Sequence, residues 1–197
     1  VIKNYIEEGR KVVIFTEYRD TAKYLKPILE EEFKDQVLTV IDNINNNILQ
    51  ELSNNFDAQV VLKNKNEEEF KNKKMTQIGK YNILLTTDRL SEGFNLNMAG
   101  VIINYDIPWN PVKVIQRVGR INRIGKKVYD EIYIVNFFPT EKGADYVKSR
   151  QIAQTKMFMI HNVLGEDAKI FSPDEKPEPS KLYKKLNTLP DETEEES

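Results

Sequence analysis

Short apolar runs, each followed by a polar loop, recur along the chain and limit the folds that it can adopt. Three of them lie in residues 81–136, which read YNILLTTDRLSEGFNLNMAGVIINYDIPWNPVKVIQRVGRINRIGKKVYDEIYIVN. Continuous apolar character over roughly four to eight residues is typical of strands that are buried on both faces of a parallel sheet. The predicted strands span residues 11–16, 37–41, 82–87, 101–105 and 131–138, with residues 60–62 as a possible short strand.

Amphipathic stretches separate these strands. Apolar residues at helical spacing predict helices, the first ending at Gly9 and the others at residues 19–33, 44–56, 111–123 and 143–164. In the second helix Asp20 is a candidate cap, and Pro27 predicts a kink or a late start. The alternation predicts an α/β domain, a parallel sheet of five to six strands with helices on both faces. In such sheets ligands bind at the carboxyl ends of the strands.

Composition excludes several kinds of site. There are no cysteines, which excludes disulfides and thiolate metal sites and favours a reducing, cytoplasmic location. The only histidine is His161, so a multi-histidine metal site is not expected. No apolar run approaches the roughly 20 residues that span a membrane. The chain begins at Val1 within a helical pattern, which predicts that it is a piece of a longer protein.

Charge and composition divide the chain into two expected parts, a domain at residues 1–165 and a tail at residues 166–197. Residues 172–197 carry eight acids and four lysines, so their net charge is −4 within a chain of net charge −2. The tail has too few apolar residues to offset the entropy of ordering, so we interpret it as an acidic, proline-containing linker or docking segment. Residues 57–80 have the composition of a local insertion, and we expect residues 63–80 to be exposed and partly helical.

An arginine row lies on the helix predicted at residues 111–123. Arg117, Arg120 and Arg123 are spaced by three, so Arg120 and Arg123 can project from one side, one turn apart. Planar guanidinium groups suit the spread charge of a transferring phosphoryl group. The alternative interpretation is a basic helix that faces solvent or nucleic acid. Spacing alone does not decide between them.

Polar residues also follow the strand predicted at residues 82–87. Glycine in the turn at residues 91–96 lets the backbone approach a ligand, and Asn95 can both donate and accept hydrogen bonds. An ordinary tight turn remains the alternative. Thr86 and Thr87 offer groups to a phosphate backbone, although β-branched residues are also common in strands. The sequence contains no GxxxxGK[ST] loop to hold β- and γ-phosphates.

Three of these segments, in this order, resemble motifs of superfamily 2 ATP-dependent helicases and translocases. KVVIFTEY at residues 11–18 resembles motif IV, TTDRLSEGFNL at residues 86–96 resembles motif V, and QRVGRINRIG at residues 116–125 resembles motif VI. The resemblance implies the second RecA-like lobe, a P-loop NTPase fold without the P-loop. The YDIPWNP run at residues 105–111 points to the Swi/Snf-like branch, and most of all to bacterial defence-type helicases associated with a phospholipase D-like domain.

The resemblance implies roles for single residues. Arg120 and Arg123 match arginines that reach ATP held by the first lobe, and Gln116 opens the same motif. Gly93 and Asn95 match positions near the nucleotide sugar and phosphates. The positions that match contacts to the backbone of the tracked strand are Thr86, Thr87 and, more weakly, Thr16.

The expected function is therefore that of the second motor lobe of an ATP-dependent DNA helicase or translocase. ATP and Mg²⁺ would be held mainly by the N-terminal RecA-like lobe of the same protein, and this fragment alone would be inactive. Expected partners are that lobe, DNA or RNA, and a nuclease domain, with no membrane. The alternative is a non-catalytic binding or scaffold module in a DNA defence or repair complex.

Overall fold

The computed structural model describes residues 1–41, 44–64, 73–88, 94–106, 111–122 and 128–137. The chain separates into two compact units, one of residues 1–108 and 112–137 and the other of residues 109–111 and 138–197. Apart from Pro111, all described residues belong to the first unit. The helix predicted at residues 143–164 and the tail predicted at residues 166–197 lie outside the described residues.

Strands and helices alternate along the first unit. The helices are α1 (Ile2–Glu7), α2 (Arg19–Phe33), α3 (Asn46–Phe56), α4 (Ala58–Asn64) and α5 (Pro111–Ile121), and single 3₁₀ turns occupy Lys34–Gln36 and Met75–Gln77. The strands are β1 (Lys11–Thr16), β2 (Val37–Val40), β3 (Ile83–Thr87), β4 (Ala99–Asn104) and β5 (Tyr133–Asn136).

The five strands form one parallel sheet in the order β2-β3-β1-β4-β5. β1 lies at the centre, and the register pairs Thr16 with Thr87 and Asn104 with Asn136. This confirms the predicted α/β fold class. Because all strands are parallel, the polar residues that follow β1, β3 and β4 meet at one edge of the sheet.

Side chains of β1 alternate between two buried layers. Val12 and Ile14 pack with Ala22, Leu25 and Leu29 of α2, and residues of α1 join that layer. On the opposite face, Phe15 lies under the guanidinium group of Arg117 in α5, and Lys11 lies over the ring of Phe56 in α3. Helices therefore cover both faces, which is why the central strands are apolar without interruption.

Helix α2 corrects two expectations. It begins at Arg19 and continues through Pro27, without the late start that Pro27 predicted. Pro27 lies on the exposed face, where water can satisfy the carbonyl that loses its partner. The cap position is Tyr18, which makes no side-chain cap bond, so Asp20 is not the cap and lies in the first turn. A carboxylate there is still favoured by the helix dipole.

The stretch that follows α3 corrects two further expectations. The strand suggested at residues 60–62 is instead part of helix α4, Ala58–Asn64. Residues 63–80 were expected to be exposed, yet Met75 and Ile78 are 7% and 1% exposed. They form a small core with Ala58, Val61 and Met98. This stretch therefore packs on the domain, at least in the part that the structure describes.

Candidate functional site

Polar side chains gather at the carboxyl edge of the sheet. The Thr16 hydroxyl donates to the Asp106 carboxylate, and the backbone amide of Glu17 donates to Asp106 Oδ1 at 2.6 Å. Asp106 follows β4 and Thr16 ends β1, so this carboxylate ties two neighbouring strand ends together.

Arg117 is the largest fully buried side chain at this edge, and its guanidinium group joins three elements. Its Nε and Nη2 lie 2.7 and 2.6 Å from Asp88 Oδ1, just after β3. Its Nη1 donates to Asn104 Oδ1 in β4 at 2.7 Å, and the group lies 5.0 Å from the centre of the Phe15 ring. Arg117 is 0% exposed, so the interpretation of this arginine as part of a solvated or nucleic-acid-facing helix is wrong.

Lys113, one turn earlier on α5, adds a second cation to the same edge. Its Nζ lies 2.8 Å from Glu17 Oε1 and 3.4 Å from Asp88 Oδ2. The hydrogen bond to Glu17 is the main cause that raises the pKa of Lys113, against a smaller opposing effect of burial. Helix α5 is thus held to the segments that follow β1 and β3.

Arg120 and Gln116 lie four residues apart on α5, and both are less buried than Arg117. Gln116 is exposed and Arg120 is half-buried. The Arg120 carbonyl accepts a hydrogen bond from the backbone amide of Leu96 at 3.0 Å. This bond places the end of the arginine helix directly beside the segment that contains Asn95.

Asn95 is half-buried, and its side-chain amide donates to Asp57 Oδ2 at 3.0 Å. Asp57 lies between α3 and α4, so the contact joins residues far apart in sequence. Of the other predicted site residues, Gly93 and Arg123 lie outside the described residues, as does the turn at residues 91–93.

The three threonines predicted to contact nucleic acid are all buried at the strand ends. The hydroxyl of Thr86 donates to the carbonyl of Val40 at 2.9 Å, and that of Thr16 is bound to Asp106. Among the described residues, the Thr87 hydroxyl has no hydrogen-bond partner. Within the described ranges, Thr87 is thus the one of the three whose hydroxyl is buried without a partner.

Sequence reasoning missed Arg117, Lys113 and Asp57 as organising residues. A signal for Arg117 was present, because the buried residues Val114, Val118 and Ile121 of α5 define a stripe on which residue 117 also falls. No such signal existed for Asp57, since its partner lies 38 residues away in the chain.

The sequence profile of the helicase conserved C-terminal domain matches residues 1–125. The chain belongs to this family. The match contains strands β1 to β4 and all of α5, and therefore the described part of the polar edge.

Two relatives and one solved structure are similar to this helicase C-terminal domain. The uncharacterized ATP-dependent helicase YqhH of Bacillus subtilis (strain 168) is 28% identical over 156 residues, 79% of this chain and 23% of the relative. The ATP-dependent rRNA helicase RRP3 of Yarrowia lipolytica (strain CLIB 122 / E 150) is 34% identical over 107 residues, 45% of this chain and 22% of the relative. The chain thus spans less than a quarter of either relative.

The crystal structure of the C-terminal part of the Fun30 ATPase domain has a similar fold. It superimposes with a TM-score of 0.51 and 19% sequence identity, over 76% of this chain and 40% of that chain. At this identity the likeness concerns the fold, a RecA-like helicase C-terminal lobe. No described helix has the length and apolar character needed to cross a membrane.

Proposed function

We propose that this domain is the second motor lobe of an ATP-dependent helicase or translocase, with ATP bound between it and a first RecA-like lobe of the same protein. The observation that carries the proposal is the hydrogen bond from the Leu96 amide to the Arg120 carbonyl, 3.0 Å long. It brings the motif V segment and the arginine helix together, so that one nucleotide could contact both.

In this proposal Arg120 and Arg123 are arginine fingers that approach the γ-phosphate when the two lobes close. Permanently charged, fork-shaped groups suit the charge of the transferring phosphoryl group and can contribute roughly 10³–10⁵ in rate. Gln116 would couple ATP to closure, and Gly93 and Asn95 would contact the nucleotide. The buried Arg117 supports these roles because it fixes α5 to β3 and β4.

The tracked strand would pass the carboxyl ends of β1 and β3. Thr87 is the candidate contact among the three threonines, since its buried hydroxyl has no partner among the described residues and would bind the track if the strand end became accessible. Thr16 and Thr86, whose hydroxyls are bonded within the domain, would act by shaping the strand ends.

The proposal assigns Mg²⁺ and the phosphate-binding loop to the first lobe. The described residues contain no group of three or more acids or histidines arranged to hold a metal ion. What this domain offers ATP is cationic and polar, and that donor set suits phosphate oxygens and sugar hydroxyls.

We further propose a Swi/Snf-like protein that moves along DNA in the cytoplasm, with a phospholipase D-like nuclease domain as partner. The YDIPWNP run and the spacing of motif VI support this subtype. The lobe would extend over residues 1–165, and the acidic residues 166–197 would form a linker or docking tail.

An RNA track is the second candidate, and one observation favours it. RRP3, which is 34% identical over its matched part, is an ATP-dependent rRNA helicase by name. A non-catalytic scaffold module is the remaining alternative, and it would lack ATP turnover altogether.

ATP hydrolysis by the full-length protein tests these alternatives together. We expect turnover that duplex or single-stranded DNA stimulates more than RNA, and none from the 197-residue chain alone. Stimulation by RNA alone would favour the second candidate. Turnover by the isolated chain, or its absence from the full-length protein under all conditions, would contradict the proposal.

A further inference from the structure

The junction between α3 and α4 holds the segment of residues 95–98 by three hydrogen bonds. Asn95 Nδ2 donates to Asp57 Oδ2 at 3.0 Å, and the backbone amide of Ala58 donates to Asn97 Oδ1 at 2.9 Å. The backbone amide of Met98 donates to the carbonyl of Phe56 at 3.1 Å. The α3–α4 junction therefore fixes the position of residues 95–98.

Buried apolar side chains also connect the same junction to this segment. Met98 is 0% exposed and packs with Ala58 and Val61 of α4 and with Met75 and Ile78. Residues 63–80, which the sequence predicted to be exposed, thus include two residues that pack against Met98 and stabilise residues 95–98.

On its other side the segment is bound to the arginine helix, through the bond from the Leu96 amide to the Arg120 carbonyl. Asn95 is therefore fixed between two elements, the α3–α4 junction and the end of α5. A displacement of either element would change where its side chain lies relative to Arg120.

The chemistry of the Asp57–Asn95 pair sets the orientation of the amide. A carboxylate only accepts hydrogen bonds, so the group of Asn95 that faces Asp57 must be the nitrogen. The amide oxygen is consequently directed away from Asp57. An oxygen in that position can accept a hydrogen bond from a sugar hydroxyl, and repulsion from Asp57 disfavours the flipped amide.

We infer that Asp57 is a positioning residue for the nucleotide sugar: it orients the amide of Asn95 so that the oxygen accepts from a ribose hydroxyl of ATP. This inference rests on the proposed function, in which Asn95 contacts the nucleotide. In this role Asp57 acts through Asn95 and not by contact with the nucleotide itself.

Asp57→Ser is the variant that isolates this role. Asp57 Oδ1 also accepts from the backbone amide of Gln59 at 2.9 Å, which caps α4. Serine caps a helix about as well as aspartate but is too short to reach Asn95. The thermal midpoint of Asp57→Ser should therefore stay near that of the wild type, whereas Asp57→Ala loses the cap as well.

The experiment measures kcat and KM of the full-length protein with ATP and with 2′-deoxy-ATP, for wild type, Asp57→Ser, Asn95→Ala and the double variant. Loss of one oriented hydrogen bond corresponds to about a fivefold change. We expect Asp57→Ser to raise KM for ATP about fivefold, to leave kcat within about twofold, and to reduce the preference for ATP over 2′-deoxy-ATP. In the Asn95→Ala background Asp57→Ser should add nothing.

The possible results distinguish the positioning role of Asp57 from the nucleotide contact of Asn95. If Asn95→Ala raises KM and Asp57→Ser does not, or if their effects add in full, the positioning role of Asp57 is overturned while Asn95 keeps its place. If Asn95→Ala itself leaves KM and the sugar preference unchanged, the nucleotide contact of Asn95 fails, and the inference fails with it.

Discussion

Two fully buried cations, Lys11 and Arg117, lie at opposite edges of the sheet and connect different parts of the domain. Lys11 begins β1, and its Nζ donates to the carbonyls of Ile78 and Tyr81 at 2.6 and 2.7 Å. Arg117 reaches the carboxyl edge, where it binds Asp88 and Asn104. Each also lies over an aromatic ring, Phe56 and Phe15 respectively.

The difference between these contacts indicates a division of roles between the two edges. The compact ammonium of Lys11 secures a turn, which Asn55 also holds by accepting from the amides of Lys80 and Tyr81. The planar fork of Arg117 instead joins a helix to the ends of two strands in fixed geometry. Lys11 therefore holds a turn, whereas Arg117 holds the helix that carries Arg120.

The largest expected effect is that of Arg117→Ala. It leaves the Asp88 carboxylate without its closest cation, and breaking a buried pair in this way typically costs about 3–5 kcal/mol. Urea unfolding of the chain measures the loss. Arg117→Met combined with Asp88→Asn should recover a large part of it, because no unpaired charge remains. A loss below about 1 kcal/mol for Arg117→Ala would show that the ion pair does not hold α5.

A smaller effect is expected for Lys11→Met, which keeps an apolar side chain of similar length and removes the donor to two carbonyls. Unsatisfied buried groups cost about 1–3 kcal/mol, so the loss should lie in this range. ATP turnover by the full-length protein should remain unchanged at temperatures where the variant is folded. If Lys11→Met lowered turnover at those temperatures, the proposed division between the two edges would be wrong.

The smallest effect at neutral pH is expected for Tyr129→Phe, at the amino edge. The Tyr129 hydroxyl donates to the Gly9 carbonyl at 3.2 Å, and its removal should cost about 0.5–1.5 kcal/mol.

The same variant has a distinct pH signature. Burial raises the pKa of Tyr129 to about 12, and the nearby Arg10 opposes this only in part. Because the folded pKa is the higher one, the contribution of Tyr129 to stability is complete below about pH 10 and is lost between pH 10 and 12. The free energy of unfolding in urea, measured at pH 9 and pH 11, should fall more for the wild type than for Tyr129→Phe. Equal falls would show that ionisation of Tyr129 is not the cause.

The sequence predicted those parts of the fold that depend on local periodicity. Strand β1 and helix α2 have the predicted bounds, because an unbroken apolar run and a clear helical stripe define them. The strand suggested at residues 60–62 is wrong because a short apolar run fits a strand or a buried helix equally well. Only tertiary contacts decide that Val61 packs with Met75 and Ile78.

The sequence groups the candidate site residues, but it does not specify the contacts that hold them. Motif spacing placed Arg120 and Asn95 in the same functional group, and the fold brings their segments together through Leu96. The partners of Arg117 lie on two different strands, and Asp57 meets Asn95 across 38 residues. Such pairings depend on how the strands are ordered in the sheet, which local sequence does not specify.

The most direct test of the central claim is ATP turnover by the full-length protein with Arg120→Ala. The substitution keeps the backbone carbonyl that binds Leu96 and removes the guanidinium group, and Lys23→Ala on the exposed face of α2 is the matched control. If Arg120 is an arginine finger, turnover should fall by roughly 10³-fold or more, while Lys23→Ala matches the wild type. Turnover of Arg120→Ala within a few-fold of wild type, with thermal stability retained, would contradict the account.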